Sequence, residues 1–168
     1  MRQMLVLGAA AIALVALPAA LQLPTRLVWN ASPSVPVGLY AVHPLDAPAL
    51  GDLALVDPPD DIDALLSERG YLAAGLPILK RVAALPGQHV CRDGLVIRID
   101  GETVAKARST DSLDRPMPAW SGCRLLGPNE VFLLNADAPD SFDGRYVGPL
   151  PRATLSGRAV PLWTEGGT

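Results

Sequence analysis

The sequence predicts a mainly β fold, loop-rich and preceded by one apolar amino-terminal segment, and three observations carry that expectation. Seventeen prolines and fifteen glycines are spread along 168 residues without a period, which suits short strands joined by turns better than a helix bundle. Most apolar runs are short and bounded by Pro and Gly, as buried strands are. Only one stretch outside the amino terminus has convincing helical spacing. With 49% hydrophobic residues, the length suits one compact domain plus one extra segment.

Taken in order, residues 4–23, MLVLGAAAIALVALPAALQL, contain no charge. At about 1.5 Å per residue such a helix spans the roughly 30 Å of a bilayer's hydrocarbon core. Residues 1–26 therefore read as a membrane anchor or a signal segment. Arg2 and the closing alanines are also compatible with a cleaved secretory signal, although the run is long for one. Both alternatives send residues 27–168 outward, to the periplasm or an equivalent space.

VGLYAV (37–42) and GDLALV (51–56) read as strands. Residues 60–75, DDIDALLSERGYLAAG, read as a helix that Asp60 or Asp61 can cap, with Ile62, Leu65, Leu66 and Leu72 on its apolar stripe. ILKRVAALPGQHV (78–90) is a strand ending in a Pro-Gly turn. Asp93-Gly94 and Asp100-Gly101 each signal a hairpin between alternating residues. Residues 105–128 are polar, Pro-containing and aperiodic, and about 95–128 is expected to form an inserted hairpin and loop region. EVFLLNA (130–136) and GRAVPLW (157–163) return to the core as strands.

A net charge of -3, with twelve arginines and two lysines scattered rather than clustered, argues against nucleic acid as a partner. Cys91 and Cys123 are the only cysteines, too few for a structural zinc site, and no metal or other cofactor is expected. In an exported domain such a pair is expected to form a disulfide, closing a loop of about thirty residues worth roughly 3–4 kcal/mol by loop-closure entropy.

A serine hydroxyl needs a base within hydrogen-bond reach and donors for the oxyanion. The histidines, His43 and His89, lie in no recognisable triad setting. Lysine is the other base that serine enzymes use. In a chain that relies on arginine for routine positive charge, Lys80 stands out, because lysine can give up its proton and arginine cannot. Burial among Ile78, Leu79 and Val82 would lower its pKa; a solvated edge-strand lysine is the alternative. Lys106, in the polar excursion, is read as solvated. In SPSVP, Pro33 and Pro36 restrict the backbone around Ser34, so that the Ser34 N–H and the Ser32 hydroxyl can point at one site; a plain juxtamembrane linker is the alternative. In DSFDGRYVGP (140–149), Asp143 and Arg145 can pair, and Ser141 can meet a buried amine, unless the stretch is merely a surface turn.

SPSVPVG, GDLALV, LKRVAALPG and SFDGRYVGP, in this order behind an apolar segment, resemble the boxes of the S26 signal peptidases across about residues 30–149. Within that family the chain looks most like the TraF-type conjugative transfer peptidases. Their opening is matched by Asn30, Ser32, Ser34, Pro36, Gly38 and Tyr40, and WSGC and SFDGRY also fit. Housekeeping members place methionine after the nucleophile, where this chain has Val35, which points to a dedicated substrate. The resemblance implies a signal-peptidase-like (LexA-like) β-rich catalytic core with an inserted excursion. It further implies Ser34 as nucleophile, Lys80 as general base, and Ser32 with the Ser34 N–H as oxyanion hole. Ser141 would orient Lys80, and Asp143 and Arg145 would hold the turn. The expected partners are a membrane-tethered pilin precursor, or another exported preprotein, and the bilayer itself. A non-catalytic scaffold of a conjugative pilus or secretion complex is the alternative from a different class.

Overall fold

The computed structural model describes Leu7 and residues 27–165. Apart from Leu7, the run at 4–23 expected to cross the membrane lies outside them, and no helix among the described residues is long and apolar enough to do so. In chain order the elements are β1 (Leu27–Asn30), β2 (Gly38–His43), β3 (Leu53–Val56), α1 (Asp60–Glu68), β4 (Ile78–Ala84), β5 (His89–Asp93), β6 (Val96–Ile99) and β7 (Glu102–Lys106). They continue with β8 (Gly122–Leu125), β9 (Glu130–Leu133), α2 (Gly144–Val147), β10 (Leu150–Pro151), a 3₁₀ turn (Arg152–Thr154) and β11 (Leu155–Thr164).

The chain is mainly β and its strand pairs are antiparallel. One sheet runs β1-β2-β11-β3-β4-β9-β10 and the other β7-β6-β5-β8. All four residues of β3 are buried, because strand alternation sends Leu53 and Leu55 to one apolar cluster and Ala54 and Val56 to another. The first cluster, with Tyr40, Val42 and Leu79, also receives Val35 from the loop after β1. The second is covered by Ile62 and Leu66 of α1. A third cluster, including Val90, Ile97 and Phe132, joins the smaller sheet to the larger.

Helix α1 ends at Glu68, seven residues short of the expected stretch. Gly70 takes φ 70°, its N–H bonds to the Ser67 carbonyl at 3.0 Å, and the Tyr71 N–H bonds to the Leu66 carbonyl at 2.9 Å. That is a Schellman closure, which a left-handed glycine makes possible. Neither Asp60 nor Asp61 caps the start. Pro59 holds that position, and both aspartates lie in the first turn, where they still favour the positive end of the helix.

Asp100 and Gly101 form a two-residue loop with φ 50° and 89°, opposite the pair Ile99 and Glu102, as a type I′ turn requires. In the preceding hairpin the loop is Gly94-Leu95, one residue further on than expected, with Gly94 at φ 57°. Within 105–128 the chain is not wholly irregular: β8 returns to pair with β5. The Tyr71 hydroxyl donates to Asp111 at 2.5 Å, Arg115 Nε donates to it at 2.7 Å, and Arg69 donates to the Pro116 carbonyl at 2.9 Å. Bonds to its carboxylate, from the Tyr71 hydroxyl first and then from the Arg115 and Leu113 N–H groups and Arg115 Nε, hold Asp111 well below the usual carboxylate range. Cys91 and Cys123 face each other directly across β5 and β8, with Cα atoms 4.0 Å apart, and are joined in the expected disulfide.

Candidate active site

The serine loop hangs between β1 and β2 and is shaped by two side chains beyond the serines. Buried Asn30 accepts from the Ser32 N–H at 3.2 Å. Its amide nitrogen donates to the carbonyls of Ser32, Val35 and Pro36 at 2.7, 3.0 and 3.1 Å. The Tyr40 hydroxyl donates to the Pro36 carbonyl at 2.6 Å. Gly38 lets β11 come close, since a Cβ there would lie 2.1 Å from the Trp163 carbonyl oxygen. An organised loop therefore replaces the plain linker of the alternative reading.

Ser34 is half-buried. The Ser32 hydroxyl donates to Ser34 Oγ at 3.1 Å and accepts from the Ser34 N–H at 3.3 Å. The two groups expected to converge on an oxyanion are thus bonded to each other. The Ser32 hydroxyl would have to rotate to serve a substrate carbonyl.

Lys80 lies on β4, an interior strand between β3 and β9, and only 5% of it is exposed. The solvated edge-strand alternative is therefore excluded. Its Nζ donates to Ser141 Oγ at 2.9 Å. Burial pulls its pKa down from the ordinary lysine value to about 8, against the opposing pull of Asp143 and with added repulsion from Arg145. Lys106 is exposed, as are His43 and His89.

Ser141 sits in a turn that Arg145 fastens from inside. The fully buried guanidinium donates to the carbonyls of Ala138, Pro139 and Asn135 at 2.8, 2.9 and 2.6 Å, and its Nε lies 3.5 Å from Asp143 Oδ1. Asp143 caps α2 by accepting from the Arg145 N–H at 3.2 Å and accepts from the Asn135 N–H at 3.1 Å. Burial raises the Asp143 pKa, with Arg145 pulling the other way. Gly144 is required because a Cβ would stand 2.6 Å from both the Leu133 carbonyl oxygen and the Phe132 ring.

The site residues thus form two bonded groups, Ser32 with Ser34, and Lys80 with Ser141 beside Asp143 and Arg145. No hydrogen bond joins Ser34 to Lys80. Val35, next to Ser34, packs with Leu79, next to Lys80, in one cluster. Lys80 itself stands opposite Ala54 and shares the other face of the sheet. Sequence reasoning assigned no role to Asn30, Tyr40 or Asn135. The one available signal for Asn135 was a polar residue directly after the apolar run VFLL.

The family described as signal peptidase, peptidase S26, matches residues 1–163. A conjugal transfer protein TraF of Agrobacterium fabrum is 40% identical over 148 residues, covering 80% of this chain and 81% of that protein. A plasmid transfer protein TraF of Escherichia coli is 32% identical over 146 residues, with 80% and 81% covered. A probable signal peptidase I-1 of Synechocystis is 31% identical over 122 residues, covering 72% of this chain and 56% of that protein. Among solved structures, a signal peptidase I of Enterococcus faecalis has a TM-score of 0.39 and 19% identity, covering 67% of this chain and 97% of that one.

Proposed function

Because this chain belongs to the S26 signal peptidase family, we propose that it is a membrane-anchored serine endopeptidase that uses Ser34 and Lys80 to cleave a pilin-type precursor for conjugative transfer. The observation that carries this reading is Lys80, buried and bonded to Ser141. With a pKa of about 8, roughly one lysine in ten is neutral at pH 7, against fewer than one in a thousand for an ordinary lysine. Neutral Lys80 Nζ takes the Ser34 proton as Oγ attacks the scissile carbonyl. The tetrahedral oxyanion is held by the Ser34 N–H and the Ser32 hydroxyl. Collapse passes the proton to the leaving amine and leaves an acyl-Ser34 ester. Water then releases a free carboxylate, or the substrate's own terminal amine attacks and closes an amide ring.

The site works at the outer face of the inner membrane. Residues 24–33 separate the apolar run from Ser34, a reach of about 35 Å at full extension. Trp29 and Trp163 stack at 5.8 Å while both remain more than half exposed, on strands that also carry exposed Leu27 and Leu162. Such an aromatic and apolar patch, directly before the serine loop, suits the interface of a bilayer. TraF proteins are named for conjugal or plasmid transfer, which motivates a pilin precursor as substrate.

The missing Ser34–Lys80 hydrogen bond favours the second reading, a scaffold without catalysis. The two are separated by intact-mass spectrometry of a pilin precursor co-expressed with the wild type, Ser34→Ala or Lys80→Arg. A defined truncation seen only with the wild type supports the peptidase, and a mass about 18 Da below the hydrolysis product marks cyclisation. An unaltered precursor with every variant, or pilus assembly supported by Ser34→Ala, supports the scaffold.

A further inference from the structure

Strand β9 ends at Leu133, and its pairing with β4 runs only to Val82, with an irregularity between Val82 and Ala84. The Leu134 N–H still reaches the Arg81 carbonyl at 2.9 Å. Beyond that point, the edge of β4 that carries Lys80 would lack a main-chain partner on the β9 side. The Asn135 side chain takes over there. Its Oδ1 accepts from the Arg81 N–H at 3.0 Å and its Nδ2 donates to the Leu79 carbonyl at 3.2 Å. One amide thus grips the backbone immediately before and after Lys80.

The main chain of the same residue faces the other way. Its N–H meets Asp143 Oδ2 and its carbonyl meets the Arg145 guanidinium, both in the segment that carries Ser141. Asn135 is 3% exposed. A buried amide is costly to leave unsatisfied, and this one is bonded at both ends.

We propose that Asn135 is a positioning residue that locks the Lys80 strand to the Ser141 turn, holding the lysine amine against Ser141 and away from water. The role in turnover rests on the peptidase reading above, whereas the effect on Lys80 does not. Without the clamp, β4 can shift at its irregular segment and water can reach Nζ. The lysine then keeps its proton to higher pH. An aliphatic residue of similar size would fill the volume and leave the Leu79 carbonyl and the Arg81 N–H unpaired.

The chain has two lysines, so ¹³Cε-lysine labelling of the full-length protein in detergent gives one signal for Lys80 and one for exposed Lys106 as reference. Asn135→Ala is expected to move the Lys80 titration upward by about one unit or more and to leave Lys106 unchanged. Cleavage of the co-expressed pilin precursor at pH 7 should fall about tenfold, with the loss made good at higher pH. A lower melting temperature with an unmoved Lys80 titration would overturn the proposal and leave Asn135 as a fold staple. Should Asn135→Ala not fold, Asn135→Gln carries the same test: its amide sits one methylene further out, and an unmoved titration there overturns the proposal equally. If the titration moves but wild-type protein cleaves no precursor, the positioning role stands and the peptidase reading fails.

Discussion

Replacing Lys80 with methionine is expected to end turnover and, at pH 7, to make the protein more stable. Folding buries the lysine and lowers its pKa from 10.5 to about 8, so the folded state disfavours the ammonium. At about 1.4 kcal/mol per pKa unit, the charged form carries a penalty of roughly 3 kcal/mol. Methionine removes that penalty but leaves Ser141 Oγ without the donor it has at 2.9 Å, a loss on the order of 1 kcal/mol. The net gain of about 2 kcal/mol corresponds to roughly 4–8 °C in melting temperature for a domain of this size. The gain also has a defined pH dependence. Below pH 8 the wild type is protonated both folded and unfolded and bears the whole penalty. Between pH 8 and 10.5 the unfolded chain holds the extra proton, so wild-type stability rises with pH and the advantage of methionine fades. Thermal unfolding of both proteins from pH 6 to 10.5, with the disulfide intact, reads this directly. A difference that does not change with pH, or a wild type more stable than Lys80→Met at pH 7, would refute the argument from burial.

Other outcomes follow from the same geometry. Arg145→Met removes donors from three carbonyls and leaves Asp143 buried without its cation; a loss of about 3–5 kcal/mol is expected, measured by denaturant unfolding. Replacing both cysteines by alanine opens a loop with a sequence separation of 32 and should lower stability by about 3–4 kcal/mol, while precursor cleavage at low temperature persists because the bridge lies in the smaller sheet. Trp29→Ser with Trp163→Ser should weaken precursor cleavage in membranes more than cleavage of a detergent-soluble peptide spanning the same bond; equal losses on both substrates would count against a membrane-facing patch.

Much of the strand plan was legible because local chemistry decided it. Asp100-Gly101 forms the turn its residues demand, and the apolar runs at 38–42, 53–56 and 130–133 become strands with alternating or double-sided burial. The cysteine pairing followed from there being two cysteines and from the expectation that the domain is exported. What escaped depends on partners distant in sequence. β1, β8 and β10 are strands because β2, β5 and β9 lie beside them, and four exposed residues in β8 carry no burial pattern to read. The end of α1 was locally encoded at Gly70 but outweighed by the apolar residues beyond it, which pack on the core without being helical. At the site, lysine rather than arginine in an apolar strand pointed to Lys80, and burial agrees. The roles of Asn30 and Asn135 lie in which carbonyls their amides meet, 2 to 56 residues away in sequence, and no spacing rule supplies that.

In the proposed reaction Ser34 forms an ester with its substrate under the control of Lys80. The most direct measurement mixes full-length protein with the pilin precursor, quenches in acid within the first turnover, and reads by peptide mass spectrometry whether the peptide carrying Ser34 bears an acyl adduct that hydroxylamine removes. The expected result is an adduct on Ser34 in the wild type and none in Lys80→Arg. An adduct of equal yield in Lys80→Arg, or precursor cleavage with the adduct on another residue, would contradict it.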